Sequence, residues 1–228
     1  MRRYEALCET LIALFAHGVY WGYPDSAAVF VQALERVANP PGGPAGYNVW
    51  INLRLYPALL LVYAAGIAAA RKHDEAGYAV LLRLLSGVRI HDESVPLMRQ
   101  LWPASIVHED MARQCLLPDR RTPVSDHLFD VMRHTSTALI PDDVRYEEAF
   151  LRWEYLLALN SARIAGPIPL GQFVWREVSR GPYIIRDTDA EIERSPKWPP
   201  LAAGFFDGDI NALHAARELV ARAIQGRL

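Results

Sequence analysis

The sequence predicts a mainly α-helical protein, an irregular multi-helix bundle around two long helices. Three observations carry that expectation. Apolar residues recur at three- and four-residue spacing over most of the chain, the period of helices that turn one face to a core. An uncharged run, Leu55 to Ala70, lies between Arg54 and Arg71, and a second apolar stretch follows an acidic start at Asp142-Asp143. Prolines and glycines fall mostly between such segments, where they punctuate helices.

Taken in order, Tyr4, Leu7, Cys8, Leu11, Ile12 and Phe15 make a first helix over about 3–17, with Gly18 and Gly22 marking its end. A second follows Pro24, which suits a first-turn position. The segment 39–46 is rich in proline and glycine and reads as a loop. Tyr47 to Lys72 reads as one long helical stretch, with Pro57 forcing a kink or break just before it. Its alanines and Gly66 allow close helix crossings. Another helix holds Tyr78, Leu81, Leu82 and Leu85, and one piece spans Ser105–Leu116. Thr122-Pro123 starts the next as cap and first-turn proline. Asp142 caps the second long helix, reaching about Ala165, and Asp209 caps the last. Phe173–Val178 and Tyr183–Ile185, around Gly181-Pro182, are compatible with one small β-hairpin at 173–185. The chain is read as a single helical domain, with 86–123 as the place where a subdivision would fall.

Composition narrows the function classes. The net charge is −2, with 51% apolar and 22% charged residues. The charges are scattered, so neither a nucleic-acid footprint nor a basic membrane patch is expected. The Leu55–Ala70 run is shorter than the ~20 residues a spanning helix needs. Cys8 and Cys115 make no disulfide framework, and Glu5 and Glu9 interrupt any leader-like start. A cytoplasmic protein without a membrane segment is therefore expected.

No complete catalytic motif is present. The glycines at 42–46 lack the Gly-Lys-Ser/Thr that cradles phosphates, and no cofactor is implied. Ser125-Asp126-His127 are consecutive, and neighbours on a helix point about 100° apart, so they cannot form a relay among themselves. The enzyme alternative is a metal-dependent phosphohydrolase of the all-helical HD type, with His73-Asp74 and His91-Asp92 as candidate ligands. Imidazole and carboxylate suit metals that activate water. Both pairs also read as polar helix junctions. The remaining candidates are Tyr20, Trp21, Tyr47, Trp50, Arg54, Arg120 and Arg121, residue types that dominate protein-binding surfaces. They suggest a recognition, sensing or scaffolding module with a protein partner, or an oligomer.

Three stretches, 15–22, 52–66 and 152–159, together resemble the helical C-terminal regions of large bacterial multidomain proteins of presumed antiviral defence. Their upstream parts are SIR2-like or STAND-type modules. The resemblance implies a non-catalytic region that senses a trigger or mediates assembly. It also implies an upstream domain of the same polypeptide as partner.

Overall fold

The computed structural model describes residues 1–22, 24–40, 47–89, 97–115, 120–179, 183–195 and 197–227, and it is a helical bundle with no strand among them. In order, α1 is Arg2–Trp21, α2 Ala27–Ala38, α3 Asn48–Leu53, α4 Tyr56–Lys72 and α5 Glu75–Gly87. Short helices follow: α6 Leu97–Gln100, α7 Pro103–Val107 and α8 Glu109–Cys115. Then come α9 Pro123–Ser136, α10 Asp143–Arg163, α11 Gln172–Ser179, α12 Ile184–Arg194, α13 Pro199–Ala202 and α14 Ile210–Gln225.

Helix α4 is the axis. From Ala58 to Ala70 every residue is buried, whichever way it points, as expected of a helix that is apolar all round. Each leucine taken from water at Leu59–Leu61 contributes about 1.5–3 kcal/mol. The chain breaks at Arg54–Leu55 and restarts with Pro57 in the first turn of α4, as the proline requires. The helices α1, α2, α5 and α10 pack around this axis. At Gly66 α10 packs closely on α4, since a Cβ there would overlap the Trp153 ring. Glu5 of α1 meets Tyr56 of α4, each in its helix's first turn, so these two long-contacting helices start at the same end. No helix among the described residues is long and apolar enough to cross a membrane.

Four local expectations are corrected. Gly18 does not end α1, which continues to Trp21. Its missing side chain instead admits the Phe30 ring of α2. The Ser105–Leu116 helix is split, because His108 adopts a positive φ of 56° between α7 and α8. Thr122 occupies the cap position of α9, but its hydroxyl bonds Asp126 Oδ2 at 3.3 Å and no backbone N–H. The hairpin at 173–185 is replaced by α11 and α12, with Gly181 and Pro182 outside the described residues. The helical reading wins because Ile184, Thr188 and Ile192 bury at four-residue spacing, and the adjacent Phe173 and Val174 are both buried, which a half-exposed strand does not allow. Asp142 and Asp209 cap α10 and α14 as expected, accepting from Arg145 N and Asn211 N at 2.8 Å each.

Candidate functional site

Helix α10 is buried over most of its length, and Glu154 lies in the middle of that face, only 4% exposed. An ionised carboxylate is strongly disfavoured away from water unless it is hydrogen-bonded. Three other elements supply donors. Ser125 Oγ of α9 donates to Oε1 at 2.6 Å, and the backbone N–H of Gln172, opening α11, donates to Oε2 at 3.1 Å. Tyr63 of α4 reaches Oε1 at 3.5 Å. Gln172 N–H also lies 3.0 Å from Ser125 Oγ, while its side-chain amide donates to Asp126 Oδ1 at 2.8 Å. Gly171 precedes this turn, and a Cβ there would overlap the Glu154 carboxyl.

Burial is the dominant influence on this acid, and the Ser125 and Gln172 hydrogen bonds only partly oppose it, so its pKa is pushed up to about 8. At neutral pH the folded chain therefore holds a largely neutral carboxylic acid. Burial also raises Asp126, against the charge of Arg120.

Above Glu154 and Ser125 a cavity of about 60 Å³ opens between α4, α7, α9 and α10, with room for several waters. Trp102, Leu157, Ile168 and Leu170 give it apolar walls, and Tyr63, Thr122, Ser125 and Glu154 are buried polar groups in its lining. Arg121, Arg227 and Glu109 stand on its rim. A second groove, about 430 Å³, lies between Tyr155, α12 and α14. There the polar groups satisfy one another: Arg217 pairs with Asp189 at 2.7 Å and lies 3.2 Å from His214, and Tyr155 reaches Asp189 at 3.4 Å. The first cavity is the better candidate, combining apolar walls with a few converging polar groups.

The consecutive Ser125, Asp126 and His127 do go to different partners, as helix geometry demands. Ser125 meets Glu154 and Asp126 meets Gln172, whereas His127 Nε2 lies 3.0 Å from Tyr56 OH and 3.3 Å from Glu5. Burial lowers the His127 pKa against the pull of Glu5.

The metal candidates are placed as follows. His73 ends α4 at a positive φ of 54°. Its Nε2 is 3.0 Å from both Glu191 and Arg152, and its Nδ1 is 3.1 Å from Tyr78 OH. Burial pushes the Glu191 carboxyl up, but the His73 and Arg152 hydrogen bonds and charges outweigh it and hold the pKa at about 2. Asp74 caps α5 through Gly77 N at 2.8 Å and pairs with Lys72 at 3.2 Å. His91 and Asp92 lie outside the described residues. Among the described residues no three His, Cys, Asp or Glu side chains are grouped to hold a metal.

The aromatic and arginine candidates do not form one surface. Trp21, 68% exposed with Tyr20 edge-on at 4.8 Å, lies at the far end of α1, roughly 24 Å along the helix from Glu5. Tyr47 and Trp50 are 79% and 62% exposed, on and just before α3, which leads through Arg54 into the opposite end of α4. Helix α3 packs on α7, one wall of the cavity. Arg120 is exposed beside the first turn of α9, and Arg121 lies over the Trp175 ring at 4.5 Å. Sequence reasoning missed Glu154 and weighed Ser125 only against its neighbours Asp126 and His127. The signal for Glu154 was a lone carboxylate between Trp153 and Tyr155 in an otherwise apolar helix face.

Compared with known protein families, curated proteins and solved structures, the chain matches none of them.

Proposed function

We propose that this chain is a helical sensing module that takes a small organic ligand into the Ser125–Glu154 cavity. The observation carrying the reading is the cavity itself: a buried carboxyl and hydroxyl converge at an opening with apolar walls, between α4 and α10. Such a site suits binding, because the buried Ser125 hydroxyl is held by Glu154 and the opening above them is walled by apolar side chains. One wall, Ile168 to Gly171, is the non-helical link between α10 and α11. Gln172 anchors the end of that link to Glu154 and Asp126. A ligand seated against the wall therefore presses on the start of α11.

The output surface in this reading is α3 with its capping residue, where exposed Trp50 and Tyr47 sit behind the α7 wall and suit a protein partner. The resemblance to the helical regions of bacterial defence proteins supports the same division of labour, with a trigger sensed here on behalf of an attached effector.

A thermal-shift screen with metabolite-sized compounds tests the reading. The expected result is a ligand that raises the melting temperature of the native chain and fails to do so when Leu157→Trp fills the cavity. Ser125→Ala, which changes one hydroxyl, should weaken the same ligand without filling the space. A ligand that stabilises both variants as much as the native chain would overturn the assignment of the cavity.

A further inference from the structure

Resting on the cavity as the ligand site, we infer that its ligand is a small carboxylate with an apolar body and a hydrogen-bonding group at its far end. The lining grades in burial, with Arg121 and Arg227 exposed and Ser125 and Glu154 buried. At the mouth stand two guanidinium groups, Arg121 and Arg227. Arg121 lies over the Trp175 ring at 4.5 Å, and a guanidinium held by its face keeps its N–H edge for a planar, two-oxygen acceptor. The rim also carries Glu109, but its carboxylate is bound by Arg113 at 3.2 Å, so the mouth retains a positive balance.

Behind the rim the walls are apolar, with Trp102 and Leu157 facing the space, and they reject a second charge in the middle of the ligand. At the buried end Ser125 and Glu154 lie 2.6 Å apart. When a ligand enters, the neutral carboxyl O–H donates to Ser125 Oγ, reversing the hydrogen bond of the ligand-free chain, and the serine O–H turns to the ligand as a donor. The far end of the ligand is therefore a carbonyl or hydroxyl oxygen. A carboxylate in that position would be taken out of water with few donors to meet its charge, which places the charged end at the mouth beside the arginines.

Matched acid and amide pairs distinguish this assignment from the general reading. Ligand-observed NMR with 4-hydroxyphenylacetate and its amide, 4-methylpentanoate and its amide, and phenyl phosphate gives the affinities, repeated with Arg121→Gln and Arg227→Gln. The expected result is binding of an acid about tenfold or more tighter than its amide, a preference that each arginine variant reduces. Amides that bind as tightly as their acids, or phenyl phosphate binding in place of the acids, would overturn the carboxylate assignment while leaving the cavity as the site. If no probe binds and the metabolite screen also finds none, both readings fall.

Discussion

Glu154 shows what a single residue can do to the stability profile of this chain. Its folded-state pKa is raised to about 8 from an ordinary value near 4.5. Between those values the folded chain keeps a proton that the unfolded chain has lost, so stability contributed by this group falls as pH rises through that window. Glu191 acts in the opposite sense and in a different window. Its pKa is depressed to about 2, so its contribution is present above about 4.5 and is lost as the solution is acidified below it. Subtracting denaturation curves of Glu154→Gln from those of the native chain isolates the first effect. The difference should slope downward between pH 5 and 8 and flatten beyond, and a flat difference throughout would contradict a buried neutral acid. Gly171 bears on the same group from the other side. Gly171→Ala should cost about 1–3 kcal/mol, because the new methyl must displace the carboxyl or the turn.

At the scale of elements, the sequence was most legible where propensity and burial agree. The break before Pro57, the caps at Asp142 and Asp209, and the all-round burial of α4 follow from local chemistry and hydrophobic period. Removing one cap, Asp142→Ala, should lower stability by about 1 kcal/mol in urea titration, since Arg145 N–H loses its acceptor. Glycine was misread where its reason lay in another helix: Gly18 looked like a stop and is instead a seat for Phe30. Gly66, by contrast, was expected to admit a close crossing, and Trp153 of α10 packs against it. Gly66→Ala should destabilise by about 1–3 kcal/mol through overpacking against Trp153, although alanine is the better helix former. The hairpin was misread because β-compatible side chains also fit short amphipathic helices, and only the pairing of α11 and α12 with α10 decides between them.

For the molecule as a whole, the core was visible in the sequence and the candidate site was not. One hydrophobic cluster runs from Cys8 to Val220, and its members are largely the apolar periodic residues. The cavity depends on Tyr63, Ser125, Glu154 and Gly171, which are far apart in sequence and individually ordinary. A serine in a helix's first turn and a glutamate in a helix middle acquire meaning only when the fold brings them 2.6 Å apart. The exposed aromatics, by contrast, were easy to find and are scattered over opposite ends of the bundle.

The central claim is that this cavity ends on a neutral, hydrogen-bonded acid inside the bundle. A carbon-13 NMR titration of the Glu154 side-chain carboxyl, assigned through Glu154→Gln, tests it most directly. The expected midpoint is near pH 8, moving when Ser125→Ala removes its shortest hydrogen bond. A midpoint near 4.5, unchanged in that variant, would mean a solvated carboxylate and would contradict the account.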